Sequence, residues 1–168
     1  MLIQHTYLYP AGVDETFAVI TEASLYEAAA VRSRAIKHSA QVTQVHNVHT
    51  ISLERSLPID DVPPFAKSFV GDGLLVRETT WWKAGQSDDA SAPGYQATFD
   101  AQIVGKPVTF KGSMRLVPEG EHCRQFITGE LKAAVPLFGG RIELAVKGPV
   151  DAQIAVVAEM VTERLGGS

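Results

Sequence analysis

The sequence predicts an α+β fold: an antiparallel sheet of about seven strands, two short helices after the first strand, and a long C-terminal helix packed on the sheet. Three observations predict it. Apolar residues recur with a period near four from Val13 to about Lys37 and again beyond Arg141, and with a period of two in between. Short turn signals separate the period-two runs, so consecutive strands pair antiparallel. The chain has 168 residues, 45% hydrophobic and 20% charged, enough for one well-covered core. Residues 1–168 therefore read as a single domain.

The elements follow in order. Leu2 to Tyr9 is rich in β-formers and stops at Pro10. Val13 to Thr21 is a short helix with Asp14 and Glu15 in its first turn, where the helix dipole favours acids. Ser24-Leu-Tyr-Glu27 has the spacing of a capping box and should open a second helix that ends between Arg34 and Lys37. Gln41 to Val48 and His49 to Ile59 read as two strands joined at a tight or bulged turn near Asn47. Asp60-Asp61-Val62-Pro63-Pro64 breaks the pattern. Pro64 to Val70 is a helix of one or two turns, with proline at its start and Gly71 as its stop. Leu74 to Ala84, Tyr95 to Val104, Val108 to Val117 and His122 to Val135 are strands. A polar loop, Gly85 to Gly94, separates the first two of these. Arg141 to Leu165 is helical, with an apolar stripe through Ile142, Val146, Ile154, Val157, Val161 and Leu165. Pro149 should kink or break it. Gly166-Gly167-Ser168 reads as a frayed tail.

Charge and composition exclude several roles. Net charge is −4, and acids and bases are spread evenly along the chain, which argues against a nucleic-acid binder. The first Lys or Arg is Arg32, so no secretory signal is expected. No run approaches 18 apolar residues, so no membrane-inserted helix is expected either. Cys123 is the lone cysteine and permits no intrachain disulfide. A cytoplasmic protein is the expectation.

The residue types that carry chemistry do not gather. His46 and His49 point to opposite faces if both lie on a strand, and no third ligand is near, so no metal site is expected. His122 and Cys123 are adjacent and also diverge, which excludes a Cys–His nucleophilic pair; Cys123 reads as a small core residue. Asp60-Asp61 and Asp88-Asp89 read as solvated loop acids. No phosphate-cradling or dinucleotide glycine pattern occurs, and no Gly-x-Ser-x-Gly elbow. No cofactor is expected.

Strand alternation sorts the two faces of the sheet. Arg77, Lys83, Asp100, Lys111, Arg115, Arg124 and Lys132 mark the outer face. The inner set is Leu74, Val76, Glu78, Thr80 and Trp82; Tyr95, Phe99 and Ile103; Val108, Phe110, Met114 and Leu116; and Cys123, Ile127, Leu131 and Val135. Glu78 stands out, because a carboxylate on an inner face pairs, is held protonated, or serves a ligand. Tyr95 is its nominated partner, and His5 is a weaker polar candidate.

The order of elements resembles the START-like (SRPBCC, Bet v 1-like) helix-grip fold. Val62-Pro-Pro-Phe65, Phe69-Val-Gly-Asp72, Glu78-Thr-Thr-Trp81, Gly105-Lys-Pro107, Arg115-Leu-Val-Pro118 and Val135-Pro-Leu-Phe-Gly-Gly-Arg-Ile-Glu143 resemble the DUF2505 family within that superfamily. The resemblance covers almost the whole chain. It implies a curved sheet that grips the C-terminal helix around a cavity, and it implies no particular reaction. The cavity candidates are then the inner residues Val76, Glu78, Trp82, Tyr95, Phe99, Ile103, Phe110, Met114, Leu116, Ile127 and Leu131, with Ile142 and Val146 from the helix. Their expected partner is an apolar or amphipathic small molecule, lipid-like or polyketide-like. A binding protein is favoured over an enzyme of the polyketide cyclase or aromatase kind and over a co-chaperone-like interaction module, since no convergent acid–base set is evident. A homodimer is left open. Gly139, Gly140 and Arg141 form a further candidate, for an anionic group at the start of the long helix; the plainer reading pairs Arg141 with Glu143 or water.

Overall fold

The computed structural model describes residues 1–85 and 94–166. The acids Asp88-Asp89 and the last two residues of the expected tail lie outside the described residues. The elements run β1 (Leu2–Tyr9), α1 (Val13–Ile20), α2 (Ala23–Arg32), β2 (Lys37–Val45), β3 (Val48–Leu57), α3 (Pro64–Val70), β4 (Leu74–Ala84), β5 (Tyr95–Ile103), β6 (Val108–Glu119), β7 (His122–Ala133) and α4 (Gly139–Arg164). The strands form one seven-stranded sheet in the order β1-β7-β6-β5-β4-β3-β2, antiparallel throughout. Only the β1–β7 pairing joins strands that are not consecutive, so β1 and β2 are the two edges and α1–α2 connect them. The helix α4 crosses β7 and β1 and packs against α2.

Several local features differ from the sequence reading, each for a physical reason. Ser24 does not cap α2. The helix begins one residue earlier, and the Arg164 guanidinium donates to the Ser24 hydroxyl and to the Glu22 carboxylate, both at 2.8 Å. That tie between α2 and the end of α4 takes the hydroxyl a capping box would use. The same helix ends at Arg32, short of the expected Arg34 to Lys37. Arg34 adopts φ 61°, which turns the chain, and the Ile36 amide already donates to the Ser56 carbonyl at 2.7 Å. β2 therefore starts at Lys37 instead of Gln41, and its hairpin to β3 is closed by His46 and Asn47, both in the left-handed region. The helix α4 starts at Gly139 and runs through Pro149 unbroken. Pro149 is exposed, so water can serve the carbonyl that loses its amide partner.

The inner face is bent at its centre by two glycines. Gly112 and Gly129 face each other across β6 and β7. A Cβ on Gly112 would meet the Thr128 carbonyl at 2.0 Å, and one on Gly129 would lie 2.3 Å from the Phe110 ring. At Gly129 the space is taken by Phe110 and Phe99, whose ring centroids are 4.9 Å apart; at Gly112 it is taken by the backbone of β7. Aromatic rings over paired glycines let the sheet curl towards α4 without leaving a void.

Two apolar clusters result. The larger joins α1, α2 and the C-terminal half of α4 to the sheet through Phe17, Leu25, Trp82, Leu116, Cys123 and Val161, all buried. The smaller lies under the N-terminal half of α4. Its buried members are Ile3, Val108, Leu131, Ala133 and Ile142, and around them Phe69, Ile103, Phe110, Val146, Val150 and Ile154 are only half buried. The molecule is tightly packed at one end and looser at the other.

Candidate functional site

The looser end holds the end of β3, the start of β4, the end of β5 and the start of β6 on the inner face. The pairing register places Leu57 beside Leu74, Arg55 beside Val76 and Leu53 beside Glu78; Val76 and Glu78 in turn lie beside Ile103 and Ala101, and Ala101 beside Phe110. All of these residues share the inner face, because each is an even number of positions from the next along its strand. Two ionisable groups sit in this apolar wall. Arg55 is 9% exposed and its Nε has no hydrogen-bond partner. Its Nη2 lies 3.8 Å from a Glu78 carboxylate oxygen, an ion-pair distance too long for a hydrogen bond. Burial pushes the Glu78 carboxyl above its ordinary range, and the Arg55 guanidinium opposes that only in part. The pair is thus poorly satisfied and inward-facing, and burial favours the neutral form of Glu78.

Tyr95 is not the partner of Glu78. Its ring stacks on Phe17 with centroids 3.7 Å apart, and its hydroxyl donates to Asp14 at 2.6 Å. Burial, reinforced by the Asp14 carboxylate, pushes this phenol up to about 12.

Of the other cavity candidates, Trp82, Phe99, Leu116, Ile127, Leu131 and Ile142 are buried core, and Val76, Glu78, Tyr95, Ile103, Phe110, Met114 and Val146 keep some exposure. The structure brings Val76, Glu78, Ile103 and Phe110 into one patch with Arg55. A hollow of about 540 Å3 opens at the end of the sheet, around the end of β3 and the start of β4. It is lined by Leu57, Leu74, Ile36, Ile59 and Val104 and by the acids Asp60 and Asp72; none of the sequence-predicted cavity residues lines it. Leu57 and Leu74 pair with each other one step along the strands from Arg55 and Val76, but neither Arg55 nor Glu78 lines the hollow.

Arg141 does not pair with Glu143. Its guanidinium lies over the Phe65 ring of α3, 4.3 Å from the centroid. Glu143 instead accepts the Ala133 amide at 3.1 Å and lies 3.9 Å from the N-terminal ammonium. Lys106, in the turn between β5 and β6, covers Phe69 at 5.3 Å. The short helix α3 is therefore held at both ends by a cation on a ring. Gly139 is required where it stands, since a Cβ would lie 2.5 Å from the Ala133 carbonyl.

A second polar cluster lies on the opposite edge. His5 Nε2 is 2.8 Å from Asp151 of α4, and Lys147 donates to the other oxygen of the same carboxylate. Burial works against the Asp151 charge, but the bonds from Lys147 and His5 win and hold it below the ordinary range. Tyr7 stacks on His5 with centroids 6.0 Å apart. His122 is exposed and Cys123 buried, on opposite faces as expected. The Cys123 thiol donates to the Thr16 hydroxyl at 3.1 Å, and burial raises its pKa against that bond. Cys123 should accordingly resist a disulfide-exchange reagent at pH 8 in the folded protein and react at once in denaturant; fast reaction without denaturant would contradict this packing. Among the described residues no group of three or more His, Cys, Asp or Glu could hold a metal.

Sequence reasoning missed Arg55. The signal was there: His49, Ile51, Leu53, Arg55 and Leu57 share one parity, and an arginine in an otherwise largely apolar row is out of place. Asp151 was missed because nothing local connects it to His5, 146 residues away.

No curated protein matches the chain. Solved structures of the same architecture do. The Zhui aromatase/cyclase from a Streptomyces species superposes with a TM-score of 0.60 at 11% identity, over 99% of this chain and 93% of that one. A STAR-related lipid transfer protein from Xanthomonas axonopodis gives 0.60 at 13%, over 98% and 85%. Norcoclaurine synthase from Thalictrum flavum gives 0.56 at 13%, over 98% and 86%. At such identities the likeness establishes the fold, the START-like helix grip. The family model for DUF2505, described as a protein of unknown function, matches residues 4–165, and the chain belongs to that family.

Proposed function

We propose that the protein binds an apolar or amphipathic small molecule between the inner face of the sheet and α4, with the polar end of the ligand at Arg55 and Glu78. The observation that carries this reading is the Arg55 side chain. A guanidinium so deeply buried, with an unpartnered Nε and a carboxylate no nearer than 3.8 Å, has donors to spare at the foot of an apolar wall. A ligand oxygen would satisfy them. The hollow of about 540 Å3 at the same end of the sheet, though not lined by the pair itself, has the size of a small-molecule site. The lipid-transfer and aromatase/cyclase relatives of the fold have names consistent with such ligands.

An acid–base enzyme of the cyclase kind is the second reading, and the raised Glu78 carboxyl favours it. It needs a second group that converges on the same atoms. The nearest conventional dyad, His5–Asp151, is four strand spacings away across the sheet, roughly 19 Å along its surface.

Native mass spectrometry of freshly purified protein tests the binding reading. A co-purified mass that Arg55→Met releases supports it. If no ligand co-purifies, titration with a long-chain carboxylate, followed through Trp82 fluorescence, should show saturable binding, weakened about tenfold or more by Arg55→Met. No saturable binding, or equal affinity in the variant, overturns the assignment.

A further inference from the structure

The corner where α3 meets the start of α4 carries apolar side chains that the fold leaves uncovered. Leu137 is 97% exposed and Phe138 47%. One turn into α4, Leu144 is 67% exposed, and across the corner Phe65 is 37% exposed. Leu137 also adopts φ 68°, a left-handed conformation that brings the Cβ of any residue but glycine close to the following carbonyl. No burial offsets that strain within the molecule.

Two cations lie against the aromatic rings of this corner. Arg141 lies on Phe65 and Lys106 on Phe69, the two rings that share one face of α3. The first amides of α4 add partial positive charge. The acid of the corner, Glu143, is turned inward to the Ala133 amide and the N-terminus. The acids closest in sequence to α3, Asp61 and Asp72, lie beyond its two ends.

We propose that this corner docks on the surface of an anionic lipid bilayer, with Leu137 and Phe138 reaching into the headgroup layer and Arg141 and Lys106 facing lipid phosphates. The combination of protruding apolar tips with a cationic surround is what an interfacial contact requires. A second copy of the chain fits less well, because a twofold contact would set the same cations against each other. The tips protrude instead of forming a groove, so a peptide segment has nothing to lie in. The contact is peripheral; among the described residues no helix is long and apolar enough to cross a membrane. Phosphates meeting the amides of Gly140 and Arg141 would also give the anion expected at that helix start its source.

This inference goes beyond small-molecule binding and does not depend on it. It is tested by sedimentation with vesicles of neutral phosphatidylcholine alone or with 30% phosphatidylserine, chosen as about the anionic content of a cytoplasmic leaflet. The anionic vesicles should bind at least about tenfold more protein, and high salt should abolish the difference. Arg141→Ala should weaken binding about fivefold. Leu137→Gly is the decisive variant. Glycine takes φ 68° without strain, so the protein should melt no lower, while vesicle binding should fall about tenfold. Equal binding to both vesicles, or undiminished binding by Leu137→Gly, overturns the proposal. So does a concentration-dependent dimer that Leu137→Gly dissolves without any vesicle binding, which would assign the corner to a second copy.

Discussion

Phe99→Asp is expected to destroy the cooperative thermal transition of the protein, and Lys132→Asp to leave it almost unmoved. Phe99 is 6% exposed, packs on Phe110, and lies where a side chain on Gly129 would come within 2.9 Å of its ring. Removing the ring costs about 3–5 kcal/mol in lost burial and cavity formation. An aspartate in its place must also either bury a charge or take up a proton. The sum rivals the whole stability of a typical domain, about 5–15 kcal/mol. Lys132 lies on the other face, exposed, and surface changes of this kind stay within about 0.5 kcal/mol. Lys111 would be a poorer control, since it pairs with Asp100 at 2.9 Å and its reversal sets two acids side by side. Circular dichroism melts of both variants read the result. Equal losses would mean that the inner and outer faces of β5 and β7 have been interchanged.

Those faces were legible in the sequence because the sheet is one-sided. From Leu74 to Ala133 each strand sets its charges on one parity, Glu78 excepted, and the chain had only to be read two residues at a time. The edges of the helices were less legible. Ser24 has the spacing of a capping box, and no local pattern could show that Arg164, 140 residues away, would claim its hydroxyl. The same limit governed the candidate site. Glu78 was visible as an acid in an apolar row of β4. Its partner, Arg55, comes from β3 through a register set by a hairpin and a helix, and Tyr95, the partner that sequence suggested, had already been taken by Phe17 and Asp14. Pairs between strands depend on register, and register is a property of the whole sheet.

The Arg55–Glu78 pair should respond asymmetrically to the loss of either member. Glu78→Leu leaves a buried guanidinium without its carboxylate and should cost about 3 kcal/mol. Glu78 can protonate, and burial already raises its pKa, so Arg55→Met should cost clearly less. The double variant should recover most of the stability lost in Glu78→Leu, because two apolar side chains replace an imperfect ion pair. The pH dependence follows from the same shift. The folded pKa of Glu78 lies above its ordinary value of 4.5, so the folded chain holds this proton more firmly than the unfolded one. The stability it contributes is complete below 4.5 and is lost as the pH rises through the raised value. Glu78→Gln removes this dependence while keeping the shape. The melting temperature of the unmodified protein, relative to Glu78→Gln, should therefore be highest near pH 4 and fall steadily towards neutrality. A difference that grows with pH would mean that the Arg55 attraction outweighs burial, and that Glu78 is a firmly ionised partner with nothing to offer a ligand but charge.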